Sequence, residues 1–329
     1  LHQYRHHVYA LLGYLVVTFL LTYPLVCQFT QAIPGDGFDG WQNVWNIWWV
    51  KHALLVEGTD PYFTHMVDYP AGVHLYFHTL NIFNGLTFLP VTLNAGNLVA
   101  YNLAVVFSFV IGGYGTYLLA LHVMRRGRAA TTGDGPAAAG AVAGGDRSST
   151  SRYMYLAAFV GGVIFAFSPY HMAHLLGHMQ LISLQWLPFF ALFTIIQLSP
   201  PPFPIPHLTS RISRLLRYAL LAAIFLVLVA ICDWYYAFYM ALFSGLYWLW
   251  TLARRRRRLA STLSVAVTGL IFLVVMSPLW VPMVQETQTS DYMVPPEGST
   301  ERLSADLTAF FTPSELHPLW GELVAGWTG

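Results

Sequence analysis

The sequence predicts an all-α integral membrane protein, and three observations carry that expectation. Hydrophobic residues fill 56% of its 329 positions and charged residues only 9%, against roughly 25% charged in soluble domains. The apolar residues gather into runs of the length that crosses a bilayer, about 20 residues. The arginines stand between those runs, on alternate sides. With a formal net charge of +1 and no basic face, nucleic acid is excluded as a partner. Cys27 and Cys232 are too few for a disulfide framework or a thiolate metal site; they read as small core residues or as one bridge.

About seven spans are expected, over 8–29, 97–124, 153–167, 181–198, 218–232, 234–252 and 259–281. The first is too long for a signal-peptide core and reads as a retained helix. Between the first two spans lies a long first outer loop, 30–96. Its stretch 46–58 is amphipathic and closed by Gly58. Its stretch 75–93 is apolar but interrupted by Asn81, Asn84, Gly85 and Pro90, so it is expected to form re-entrant or interfacial helices rather than a span. With the N-terminus inside, every basic residue except Lys51 and Arg302 falls on the inner side, which is the asymmetry of the positive-inside rule. Every acidic residue except Asp134 and Asp146 falls outside. The inner loop 125–152, rich in Ala, Gly, Ser and Thr, reads as a flexible linker, and the five prolines of 199–206 as an extended connection. The chain thus divides into a transmembrane module, 1–281, and the start of an extracytoplasmic segment, 282–329. Leu1 and the open end at Gly329 read as the limits of a fragment of a longer chain.

This topology brings several polar segments to the outer face. Asp36 and Asp39 stand among glycines in Gly35-Asp36-Gly37-Phe38-Asp39-Gly40, just before an aromatic, amide-bearing helix. Carboxylates near hydrocarbon are costly unless used, although Gly and Asp also build ordinary turns. His171, His174 and His178, spaced by three and four, share one face if 168–180 is a continuous helix. Such a face suits a phosphate, a divalent cation or a pigment, or else interfacial histidines bonded to backbone. Asp233, in a short turn between two spans, is either the N-cap of the following helix or a third carboxylate of the same cavity. Trp234, Tyr235 and Tyr236 suit an interfacial aromatic belt or a platform for a sugar ring, and Trp48 and Trp49 of the first-loop helix are further candidates for substrate contact.

The acidic Gly-Asp-Gly-Phe-Asp-Gly motif in a long first outer loop, together with Asn46-Ile47-Trp48-Trp49, Ser168-Pro169-Tyr170-His171 and Phe311-Thr312-Pro313-Ser314, resembles bacterial polytopic members of the GT-C glycosyltransferase superfamily. The acidic motif departs from the Asp-Glu pair common there. The resemblance implies a multi-pass protein of the bacterial cytoplasmic membrane with an extracytoplasmic active face. Its chemistry would be transfer of a sugar from a polyprenyl-phosphate donor to a hydroxyl or amide of a glycan or protein acceptor. Asp36 or Asp39 would be the general base, the other orienting the acceptor or a divalent cation, and His171, His174 and His178 would contact the donor phosphate with Asp233, Trp48, Trp49 and Tyr235 around the substrate. The rival expectation is a non-catalytic membrane subunit of a respiratory or photosynthetic assembly, in which the histidines are structural or ligate a pigment. Against it, the two aspartates would have no task.

Overall fold

The computed structural model describes residues 4–35, 38–131, 147–200, 207–254 and 258–289, and after them 296–299, 304, 307–308, 311–313 and 319–326. These residues are mostly helical; the β-structure among them is a two-residue antiparallel ribbon, β1 (Phe63–Thr64) against β2 (Val73–His74). The chain splits into two compact units, Leu1–Leu279 and Trp280–Gly329.

Helix α1 (Arg5–Leu21) is shorter than the predicted run 8–29. The hydroxyls of Thr18 and Thr22 donate back to the carbonyls of Tyr14 and Thr18, at 2.7 Å each, and Pro24 then supplies no N–H for another turn. The first loop opens with α2 (Phe38–His52), which passes through one π-helical turn, Ala53–Glu57, to Gly58 at φ 67°. This is the glycine-closed helix expected from the sequence. After the ribbon come α3 (Ile82–Thr87) and α4 (Leu89–Ala95), of 6 and 7 residues, too short to span a bilayer. Asn81 caps α3 by accepting the Asn84 N–H at 3.0 Å.

Next follow α5 (Asn97–Thr131), α6 (Arg147–Ala166), α7 (Pro169–His174), α8 (Met179–Ile182), α9 (Leu187–Leu198), α10 (Leu208–Ala230), α11 (Trp234–Arg254), α12 (Arg258–Val275), α13 (Ser277–Thr289) and, in the second unit, α14 (Gly321–Ala325). Three helices are long and apolar enough to cross a membrane, Asn97–Arg128, Arg152–His174 and Thr209–Ala230, or four if Leu259–Val275 and Ser277–Thr289 make one bent span. The seven predicted runs are therefore not seven full-length helices. α1 has 17 residues. The run 181–198 breaks at 183–186, leaving α9 with 12, and 259–281 breaks at Met276, beside Pro278. Helices α5 and α6 reach further into the inner loop than predicted; 132–146 and 201–206 lie outside the described residues.

In the first unit α1, α5 and α6 pack around Tyr14, which stacks on Phe159 at 4.7 Å, donates to the Phe159 carbonyl at 3.0 Å and meets Gly113 and Gly162. A second core joins Ile47 of α2 to Tyr101, Val105 and Phe109 of α5 and to Leu175, Met179 and Ile182. Phe189, Phe193 and Phe225 stack between α9 and α10.

The polar groups separate to opposite ends of this bundle. At one end Arg125 reaches Tyr155 at the start of α6, Arg126 reaches the Pro200 carbonyl, and Arg214 caps the carbonyls of Ile196 and Ser199. At the other end, Asn102 near the start of α5 donates to the carbonyls of Phe29 and Ala32, at 2.9 and 2.8 Å. That clamp fixes the beginning of the first loop. Both cysteines are free thiols, Cys27 exposed and Cys232 buried.

Candidate functional site

The site forms where the first turn of α2 meets the broken segment between α6 and α9. Ser168 starts α7 by accepting the His171 N–H at 3.4 Å, with Pro169 at the first helical position. After His174 the helix stops. Gly177 has φ 151°, which disfavours any side chain, and a Cβ there would lie 3.1 Å from the Gly40 nitrogen. Gly35, at φ 99°, faces the same turn, and a Cβ on it would overlap the Leu176 carbonyl. Two glycine-bearing backbones thus lie directly against each other. Asn43 locks them by donating to the carbonyls of Gly177, at 2.9 Å, and of Asp39, at 3.0 Å.

This arrangement sets the His178 Nε2 3.1 Å from Asp39 Oδ2. The Nδ1 atoms of His178 and His174 are 3.3 Å apart, with the rings nearly perpendicular. Tyr170 meets the His174 ring edge-on at 4.4 Å, and its hydroxyl lies 2.8 Å from that of Tyr236. Tyr236 donates to the Leu181 carbonyl at 2.6 Å, so the proton shared by the two tyrosines belongs to Tyr170. Finally Asp233 Oδ1 accepts the N–H groups of Tyr235 and Tyr236, at 2.7 and 3.4 Å, which is the N-cap of α11. Polar contacts therefore join Asp39, His178 and His174; Tyr170 adds an aromatic edge contact to His174 and a hydroxyl contact to Tyr236, whose backbone N–H reaches Asp233.

Its direction follows from the partners. An ionised Asp39 only accepts, so His178 donates from Nε2; its Nδ1 then accepts from His174 Nδ1, and His174 Nε2 is left as the free basic nitrogen. The Asp39 and His178 side chains are 37% and 42% exposed. A polar contact that open to water adds under about 1 kcal/mol to stability. Burial pushes the Asp233 carboxyl above its usual range, and the two backbone N–H bonds pull it back.

Of the sequence-predicted residues, Asp39, His174 and His178 come together, and Asp233 joins them through the tyrosines. Asp36 lies outside the described residues. His171 does not share the face of the other two. It is fully buried and stacked on Phe109 at 4.0 Å, with Nδ1 2.7 Å from the Ala166 carbonyl and Nε2 2.7 Å from that of Ile182. No ring nitrogen remains for a phosphate, a metal or a pigment, because α7 ends and the chain turns before a continuous histidine face can form. Trp49 is likewise no substrate contact: it is 1% exposed and its Nε1 donates to the Pro61 carbonyl at 2.9 Å. Trp48 stacks on His52 at 4.7 Å, in an aromatic group that packs against Leu75, Leu80 and Ile82. Tyr235 is 71% exposed and contributes its backbone N–H to the cap.

Asn43 and Tyr170 complete this arrangement and were not among the candidate site residues read from the sequence, whereas Tyr236 stood with Trp234 and Tyr235 among the aromatic candidates. Asn43 carried a signal, standing one helical turn after Asp39, and Tyr236 stands three after Asp233. Among the described residues no group of three or more His, Cys, Asp and Glu is arranged to hold a metal ion.

The family described as Domain of unknown function (DUF6311) matches residues 137–328. That stretch contains both site histidines and both tyrosines, while Asp39 and the first loop precede it. No curated protein and no solved structure matches the chain.

Proposed function

The chain belongs to the DUF6311 family, and from that premise we propose that it is a multi-pass membrane glycosyltransferase of the bacterial inner membrane. It moves a sugar from a polyprenyl-phosphate donor to an acceptor hydroxyl or amide on a glycan or protein. One observation carries the reading: a half-exposed carboxylate paired to a histidine, with a second histidine behind it, at the end of the bundle opposite the arginines. Under the positive-inside rule the arginine end faces the cytoplasm. About seven crossings result when α1, α9 and α12 are completed by their neighbouring segments, and the site faces outward.

The steps follow from the contacts. Asp39, oriented by His178, takes the proton of the acceptor hydroxyl. The freed oxygen attacks the anomeric carbon of the donor sugar, the bond from that carbon to the phosphate oxygen breaks, and the polyprenyl phosphate leaves with the electron pair. Phosphate needs no proton to depart. The donor phosphate's own negative charge would favour protonation of His174 Nε2, and the resulting N–H would stabilise the charge that develops on the departing phosphate, with the Nδ1–H kept on His178.

The test is sugar transfer from short-chain polyprenyl-phosphate donors by the purified protein, comparing wild type with Asp36→Asn, Asp39→Asn and His174→Ala. Loss in Asp39→Asn with the melting temperature unchanged supports the assignment. Loss confined to Asp36→Asn moves the base to that residue. A wild-type protein that neither turns over nor binds any of several donors sinks the transferase reading and favours a non-catalytic membrane subunit.

A further inference from the structure

The arginine-bearing end of the same bundle holds a second candidate site, unconnected with the carboxylate and histidines. Where α1, α5 and α6 meet there is a cavity of about 230 Å³, lined by His6, Tyr9, Ala10, Tyr117, Tyr155 and Phe159. Its wall is mixed in character. Ala10 and Phe159 give it an apolar floor, and the aromatic rings continue that floor toward the helix ends. His6 stacks on Tyr155 at 4.1 Å. The Arg125 guanidinium sits 5.9 Å from the centre of the same ring and donates to its hydroxyl at 3.4 Å. Tyr117 is 1% exposed, and its hydroxyl has no hydrogen-bond partner among the described residues.

Among the described residues of the three helices that line this cavity, the charge has one sign. None of the residues of α1, α5 and α6 is Asp or Glu, whereas Arg5, Arg125, Arg126, Arg128 and Arg152 all belong to these helices. An anion at the mouth would meet Arg125 and His6, while a hydrocarbon chain attached to it would lie along Phe159 and Ala10. We propose that this cavity binds an anionic phospholipid, its phosphate between Arg125 and His6 and the start of its acyl chain against the apolar floor. This rests on the membrane part of the reading above and not on sugar transfer.

The experiment uses the full chain, delipidated in detergent and then offered equal amounts of phosphatidylglycerol and phosphatidylcholine, with retained lipid measured by native mass spectrometry. The wild type should retain phosphatidylglycerol preferentially. Arg125→Ala should weaken that retention about tenfold, as expected for one lost charge-assisted contact. Ala10→Trp, which fills the cavity, should abolish it, while circular dichroism melting shows each variant folded. Equal retention of the two lipids, or a preference unchanged in folded Arg125→Ala and Ala10→Trp, overturns the proposal. Displacement of the lipid by millimolar inorganic phosphate alone overturns it in favour of a free-anion site. A chain that stays soluble without detergent sinks the membrane reading itself, whereas a detergent-dependent chain with no lipid preference sinks this inference alone.

Discussion

At the carboxylate end of the bundle the polar side chains stand on short, interrupted pieces: the first turn of α2, the six residues of α7 and the turn before α8. At the arginine end they stand on the ends of long, continuous helices, α1, α5, α6 and α10. The difference is physical. A continuous helix satisfies its own backbone and projects side chains at fixed intervals, which suits anchoring and charge. A broken segment must find partners for its freed backbone groups, and it does so through Asn43, Asn81, Asn102 and Ser168. In return it can set His178 of this segment against Asp39 of another helix. Catalytic geometry is thus expected at the irregular end, and charge-based anchoring at the regular one.

The strongest way to break this contrast is to remove His178. His178→Ala should lower sugar transfer by about a hundredfold or more, and His178→Gln, whose amide still donates to Asp39, should recover part of the loss. Equal activity in all three proteins would leave the broken end without a chemical role. Next in size is His171→Ala, which removes a fully buried ring and its contacts with the carbonyls of Ala166 and Ile182, the latter keeping the Ser108 hydroxyl. It should cost about 3 kcal/mol in thermal or denaturant unfolding, and wild-type stability would show that the segment does not depend on this strut.

Two glycine substitutions compare the ends directly. Gly177→Ala forces a side chain into a left-handed conformation against Gly40 and should cost about 1–3 kcal/mol. Gly127→Ala lies in α5 at the arginine end, where a Cβ meets nothing within 4 Å, and should stabilise by about 0.5–1 kcal/mol. Matching shifts in the two melting curves would erase the distinction between tight and open ends. The smallest effect concerns Asp233. Its folded carboxyl is raised by burial, so the folded state binds the proton more tightly than the unfolded one. That contribution is present in acid and is lost as pH rises from the ordinary value of 3.8 through the raised folded value. Asp233→Asn keeps the cap without the charge and should flatten this pH dependence with little loss at neutral pH, whereas Asp233→Ala should cost about 1 kcal/mol. A melting temperature that falls on acidification through the same window in wild type but not in Asp233→Asn would reverse the assigned sign.

Much of this was legible in residue types. The glycine closing the first-loop helix at Gly58, the interruption of 75–93 by Asn81 and Pro90, and the sorting of arginines to one end all followed from local rules. What sequence spacing misjudged was continuity. Spacings of three and four place His171, His174 and His178 on one face only if the helix runs on, and Gly177 marks where it does not. The same holds for 181–198 and 259–281, where Pro188 and Pro278 stood in apolar runs of apparently sufficient length. Trp49 was illegible for another reason: a tryptophan beside a loop looks the same whether it faces a sugar or the Pro61 carbonyl, and tertiary packing alone decides.

The backbone of Gly35 lies against Leu176, 141 residues further along the chain, and Asn43 is bonded to Gly177, 134 residues further along. During synthesis, the acidic segment leaves the ribosome long before its histidine partners exist. A nascent chain that has not yet reached Gly177 carries Asp39 with nothing to orient it, so the site matures late, in a single docking step, after α1 to α6 have been made.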